Sequence, residues 1–239
     1  DIVLTVPLTF IATANAVLYA GAKLDFIDID SKTLNMDLNL LEKKIKDLKK
    51  RDQKIKSIIA VDYAGNPCEW EDIKYLSKKY KFSVINDNCH AIGSKYKDSI
   101  GYAAKYADIV THSYHAVKNI TTGEGGSVLS LNKKIIEKIK NLRTHGLKYF
   151  NSSKSKLFYD MQSLGFNYRL TDFQSALGIS QLKKLDKFIL RRREIAKMYD
   201  DAFKGNHKLI IPPVSVHSTH SYHLYPLQIK FNETKISKK

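Results

Sequence analysis

At 239 residues and 43% hydrophobic, the chain can bury a sizeable core and is neither fibrous nor disordered in composition. No run of about 18 apolar residues could span a bilayer, and the opening Asp1-Ile2-Val3-Leu4-Thr5-Val6 lacks the basic-then-apolar layout of a signal peptide, so a cytoplasmic protein with no membrane partner is expected. The formal charge of +16 would suit an anionic partner, but only six of the 40 basic residues are arginine and the lysines rarely alternate with aromatics, which argues against nucleic acid.

Ile2 to Val6 reads as a strand closed by Pro7, and Ala12 to Ala20 as a small-residue helix ended by Gly21. Lys23 to Ile29 is the next strand. Leu38, Leu41, Ile45 and Leu48 recur at helical spacing among lysines, which makes an amphipathic helix. Ser57 to Val61 reads as a buried strand, followed by the loop Asp62 to Pro67, a helix carrying Ile73, Leu76 and Tyr80, and a short strand Phe82 to Ile85. Strands alternate with helices throughout this half, which predicts a largely parallel sheet with helices on its faces.

Ala107 to Val110 and Ser127 to Leu131 are two more apolar runs, and Asn132 caps a helix from Lys133 to Leu142. Thr144 to Phe166 is long, polar and without a period, as functional loops often are. Thr171-Asp172-Phe173-Gln174 is a capping box that opens a helix through Leu182, and a second helix is expected from Lys187 to Phe203. Pro212-Pro213 marks a boundary, and Tyr222 to Phe231 begins a strand. Cys68 and Cys89 have no zinc-knuckle spacing and are too few for a disulfide framework, so free buried thiols are expected.

The chemistry gathers at two strand ends. Between the runs ending at Val110 and starting at Ser127 lie Ser113, His115, Lys118 and a turn, Gly123-Glu124-Gly125-Gly126. A lysine partly shielded from water loses its proton more readily than a surface lysine and can attack a carbonyl as a neutral amine. The strand Phe82 to Ile85 runs into Asn86-Asp87-Asn88-Cys89-His90, and ligands in open α/β sheets sit beyond the carboxyl ends of strands, so Asp87 and His90 should converge with Lys118. A carboxylate that keeps a pyridine nitrogen protonated, paired with a lysine that bonds an aldehyde, suggests pyridoxal phosphate. Taken singly, each residue has a plainer reading: Lys118 as a solvated surface charge, Asp87 as a helix cap or turn residue, His90 as a satisfied polar contact.

The stretch Val84 to Gly93, the stretch Ser113 to Lys118 with Thr121 to Gly126, and the motifs Pro7 to Phe10, Asp62 to Pro67, Arg143 to Gly146 and Gly165 to Asp172 together resemble the DegT/DnrJ/EryC1/StrS family of nucleotide-sugar aminotransferases. The resemblance covers essentially the whole chain. It implies an α/β fold of the aspartate aminotransferase class (fold type I), with a large cofactor-binding domain over residues 1–205 and the start of a small C-terminal domain over 206–239. It also implies a homodimer with shared active sites, and transfer of an amino group from L-glutamate to C4 of a UDP-4-keto-6-deoxy-N-acetylhexosamine.

Carried onto this chain, the resemblance makes Lys118 the Schiff-base lysine and Asp87 the partner of the pyridinium nitrogen. His90 would sit beside the ring and Phe10 would stack on it. Ser113 would donate to the cofactor phosphate, and Asn167 would reach that phosphate across the dimer interface. His145, Arg169 and His223 are further candidates for substrate contacts. Two positions depart from the family pattern: Asn86 stands where an acid is usual, and Ala116 where proline is. The family also places a phosphate-cradling loop before the position of Asp1 and a longer C-terminal domain after Lys239, so the chain is expected to be part of a longer protein. Two alternatives stay open, a non-catalytic or degenerate cofactor-binding relative and a 4-aminotransferase for another nucleotide-linked keto sugar. The dehydratase branch, which replaces the lysine with histidine, is disfavoured by Lys118.

Overall fold

Ile2–Thr5 (β1) is buried along its whole length, which places an apolar run with no polar alternation in the middle of a sheet. The computed structural model describes residues 1–149 and 159–234. After β1 come Ile11–Tyr19 (α1), Lys23–Phe26 (β2), Leu38–Lys50 (α2), Ile55–Val61 (β3), Trp70–Tyr80 (α3), Ser83–Asp87 (β4), Lys95–Tyr96 (β5), Tyr102–Tyr106 (α4), Ile109–Ser113 (β6) and Gly126–Leu129 (β7). Six of the strands form one sheet in the order β2-β1-β3-β4-β6-β7. Every neighbouring pair is parallel except β6 with β7. The carboxyl ends of β1, β3, β4 and β6 therefore open on the same edge.

Helices cover both faces. Val17 of α1 packs with Val3 and Ile59 on one side. Leu41, Ile45 and Leu48 of α2, with Trp70, Ile73 and Leu76 of α3, pack on the other against Leu4, Ile58, Val84 and Val110. The lysine-flanked period of α2 buries three of the four expected residues and leaves Leu38 partly buried, and Asp37 caps the helix by accepting from the backbone N–H groups of Asn39 and Leu40. Gly21, in the left-handed region at φ +69°, follows the end of α1. The five-residue helix α4 was not expected, because so short a piece shows no helical period.

Lys133–Arg143 (α5), Asp172–Leu182 (α6) and Leu185–Phe203 (α7) follow, with the capping box of Thr171 and Gln174 formed at the start of α6. Between α5 and α6, Leu147–Tyr149 (β8) pairs antiparallel with Tyr159–Met161 (β9), so the stretch expected as an unstructured loop carries a hairpin. The middle of that stretch, 150–158, lies outside the described residues. Beyond α7, Leu209–Ile210 (β10) pairs with Gln228–Ile229 (β12), and Ser218–Thr219 (β11) pairs with β5. The strand expected from Tyr222 to Phe231 is thus confined to β12. Pro226 cannot donate to a ladder and Tyr222 has a positive φ of 47°, both of which interrupt extended pairing.

The segment after β11 folds back onto the sheet. The Ser221 N–H donates to the Gly65 carbonyl at 3.1 Å, its hydroxyl donates to the His90 carbonyl at 3.1 Å, and Leu224 N–H donates to Ala64 O. Gly65 has φ +99°, and a Cβ there would lie 2.3 Å from Ser221 Oγ and 3.0 Å from His90 O. Only glycine allows this approach.

Candidate active site

Residues from three separated stretches meet beyond the strand ends. Asp87, the last residue of β4, pairs in register with Thr111 of the neighbouring β6. Its carboxylate is fixed from two directions. Thr13 Oγ1 of α1 donates to Oδ2 at 2.7 Å, and the Cys89 backbone N–H donates to Oδ1 at 3.2 Å. Thr9 and Thr13 share a hydroxyl hydrogen bond of 2.8 Å, which fixes the Thr13 donor. The sequence reading missed Thr13. Its only signal is the Thr9–Thr13 spacing of one helical turn beside a strand end.

Lys118 rides on the loop between β6 and β7. Ile120 pins that loop by packing with Leu185 and Ile189 of α7, and the Asn119 carboxamide donates to Ile92 O at 3.1 Å. The turn closes through Tyr114, whose N–H donates to Gly125 O and whose carbonyl accepts from Thr122 N–H. Lys118 is half-buried. Burial pushes its ammonium below the ordinary lysine value, against the opposing charges of Cys89 and Asp87. Burial also raises the Cys89 thiol, so at neutral pH that sulfur is uncharged and Asp87 is the charge that faces Lys118. Cys68 is buried and Cys89 partly so, and both are free.

His90 accepts the Ala64 N–H at Nδ1, at 3.3 Å. Its ring lies 4.4 Å from that of His223 and 6.0 Å from that of Tyr63. Burial, then the nearby Lys118 charge, lowers His90 to about 4, while Asp87 opposes the shift. Burial, His90 and Lys118 lower His223 to about 3. Both rings are neutral at physiological pH. Among the described residues, His223 Nδ1 is buried without a hydrogen-bond partner. Arg192 of α7 holds the segment in place by donating to the carbonyls of Tyr222 and His223 at 3.1 and 3.3 Å.

The other expected residues are placed differently. Ser113 ends β6 opposite Gly126, and its Oγ accepts the His115 N–H at 3.3 Å. Phe10 precedes the first turn of α1 and is 70% exposed, so it is not a core aromatic. Asn167 forms an isolated bridge with Thr144 and is exposed, as are the nearby His145 and Arg169; among the described residues none of the three hydrogen-bonds Asp87, His90 or Lys118. The groups present suit pyridoxal phosphate in chemistry. A fixed carboxylate can hold a ring nitrogen's proton, a half-buried amine can bond an aldehyde, and the neutral His223 lies within electrostatic reach of that amine.

The same burial sets the acid behaviour of the fold. Burial lowers His220 to about 3, and its ring stacks on Tyr222 at 4.0 Å. A folded value below the ordinary 6.5 means that this stability is present above pH 6.5 and is lost as pH falls towards 3. Going from pH 7 to 5 costs about 2 kcal/mol through His220 alone. His90 and the less buried His223 act in the same direction. Asp62, which burial raises to about 6, offsets this by about 1 kcal/mol, because it takes up a proton in the folded state. The melting temperature by circular dichroism should therefore be lower at pH 5 than at pH 7, and an equal or higher value at pH 5 would contradict the assignment.

A mostly parallel sheet, with a carboxylate and a shielded lysine set beyond adjacent strand ends, defines an α/β protein of the aminotransferase architecture. The chain belongs to the DegT/DnrJ/EryC1/StrS aminotransferase family, whose sequence profile matches residues 1–239. The UDP-4-amino-4,6-dideoxy-N-acetyl-beta-L-altrosamine transaminase of Campylobacter jejuni is 47% identical over 95% of this chain and 57% of its own length. Among solved structures, Helicobacter pylori PseC, an aminotransferase involved in the biosynthesis of pseudoaminic acid, matches with a TM-score of 0.86 at 35% identity, over 96% of this chain and 58% of that one. The PLP-form of Spr1654 from Streptococcus pneumoniae matches with a TM-score of 0.83 at 27% identity, over 96% of this chain and 60% of that one. The chain spans about three fifths of the length of the curated relatives it matches. No helix among the described residues is long and apolar enough to cross a membrane.

Proposed function

We propose that the protein is a pyridoxal-phosphate aminotransferase that moves an amino group from L-glutamate to C4 of a UDP-4-keto-6-deoxy-N-acetylhexosamine. The observation that carries this reading is the half-buried Lys118, lowered from the ordinary lysine value, within electrostatic reach of the fixed Asp87 carboxylate. The printed names of the Campylobacter and Helicobacter relatives support the substrate class.

Pyridoxal phosphate, when bound, supplies an aldehyde that accepts amino nitrogen and a protonated ring that acts as an electron sink. Lys118 would supply the amine that bonds the aldehyde, and its Nζ, when free, would act as the base and acid that moves a proton at the reacting carbons. Asp87 holds the proton on the ring nitrogen, and the Thr13 and Cys89 donors fix its direction. Neutral His90 and His223 add no positive charge beside Lys118; burial is what lowers its ammonium from the ordinary value. The exposed Phe10 would cover the ring, and the Ser113 hydroxyl would donate to the phosphate.

The proposal includes a homodimer in which Asn167 reaches the partner's phosphate. An apolar exposed surface supports it: Phe173 is 90% and Leu164 84% exposed, with Tyr168 and Met161 nearby in sequence. The test is to load the protein with pyridoxal phosphate, reduce with borohydride and map the labelled peptide, then assay glutamate-dependent 2-oxoglutarate formation with the UDP-keto sugar. Label on Lys118 with sugar-dependent turnover supports the proposal. A protein that holds cofactor and turns nothing over would instead be a binding-only relative.

A further inference from the structure

Asp62 directly follows β3, its completely buried carboxylate on the Trp70 and Tyr102 side of the sheet, opposite the α1 side from which Thr13 reaches Asp87. Its Oδ1 accepts from the Cys68 N–H at 2.8 Å and from Trp70 Nε1 at 3.0 Å. Its Oδ2 accepts from Asn86 Nδ2 at 3.1 Å, Asn88 Nδ2 at 2.8 Å and the Tyr102 hydroxyl at 2.8 Å. Asn86 and Asn88 flank Asp87 on both sides in sequence. Because neighbours along an extended chain point to opposite faces, the two carboxamides gripped below the sheet force the Asp87 side chain above it. The Asp62 backbone joins in, its N–H donating to the Asp87 carbonyl at 3.1 Å. Among the described residues Asn86 Oδ1 is left buried without a partner, a cost that the fold bears while the Asn86 amide faces Asp62.

We infer that Asp62 is a positioning residue for Asp87, clamping the end of β4 through Asn86 and Asn88 so that the Asp87 carboxylate stays aimed at the cofactor's ring nitrogen. The inference rests on the cofactor reading above and goes beyond it, since Asp62 itself lies on the other face of the sheet. Substituting Asp62→Asn would turn one acceptor into a donor facing two carboxamide donors, and release the clamp while keeping the volume. Asn88→Ala cuts one arm of it in a milder way. Trp70→Phe removes a donor from Oδ1 on the side remote from β4, as a control for general loss of core stability.

The experiment loads each protein with ¹⁵N-labelled pyridoxal phosphate and reads the ring-nitrogen resonance, the cofactor dissociation constant, the borohydride-trapped Lys118 adduct and the melting temperature. The expected result for Asp62→Asn and Asn88→Ala is a nitrogen resonance moved towards the unprotonated position, affinity weakened about tenfold in Asp62→Asn as for other outer-shell partners, and the Lys118 adduct retained. Trp70→Phe should lower the melting temperature and leave the nitrogen signal in place. If Asp62→Asn does not fold, Asn88→Ala decides. A nitrogen signal and affinity equal to wild type in the clamp variants, or an equal shift in Trp70→Phe, would reduce Asp62 to a fold element and overturn the inference. A wild-type protein that forms no Lys118 adduct would overturn the cofactor reading itself, and the clamp inference with it.

Discussion

Replacing Lys118 with alanine should lower sugar-dependent amino transfer on the order of 10⁴-fold or more, as expected when a residue that both bonds covalently and moves the proton is removed. The fold should survive, because the side chain is half-buried and forms no hydrogen bond among the described residues, while the loop is held by Ile120 and Asn119. Lys118→Arg is the sharper variant. It keeps a positive charge beside Asp87 but cannot become a neutral amine at working pH, so a charge-only role would leave activity largely intact. Single-turnover assays with the far-ultraviolet spectrum as a fold check distinguish the outcomes. A loss of less than tenfold in both variants would remove Lys118 from the chemistry.

The largest effect on stability is expected at Asp62. Asp62→Leu leaves five donors, those of Cys68, Trp70, Asn86, Asn88 and Tyr102, aimed at an apolar side chain with no water to replace the lost acceptor. At about 1–3 kcal/mol for each orphaned group, with partial rearrangement, the loss is on the order of 5 kcal/mol, a large part of the stability of a typical domain. Burial raises the Asp62 carboxyl and the Cys68, Tyr102, Asn86 and Asn88 donors pull it down, leaving it at about 6, so at neutral pH the group is mostly a carboxylate. Urea unfolding should show the midpoint collapsing. A shift worth less than about 1 kcal/mol would mean that the donors find other partners.

Much of the architecture was legible because it is written locally. The four-residue apolar run at Ile2, the helical spacing of Leu41, Ile45 and Leu48, and the capping box at Thr171 each specify their element within a dozen residues. That β4 and β6 end side by side follows from alternating strands and helices and the parallel pairing they impose. What was not legible is written across distance. The Asp62 network draws on residues 68, 70, 86, 88 and 102, and no period links them. Thr13 reaches Asp87 from a different element, and His223 meets His90 only because Gly65 lets Ser221 approach. The identity of Asn86 gains a physical meaning from the same network, since an acid there would face the Asp62 carboxylate at hydrogen-bond distance.

The contact between Gly65 and Ser221 joins the early part of the chain to one of its last described stretches. A polypeptide still emerging from the ribosome can pair β1, β3, β4 and β6 while the wall made by Tyr222 and His223 is yet to be synthesised. Closure of that wall is thus a late, long-range event that pays its loop-closure entropy after the sheet exists. The sheet would form well before the imidazole pair of His90 and His223 is assembled.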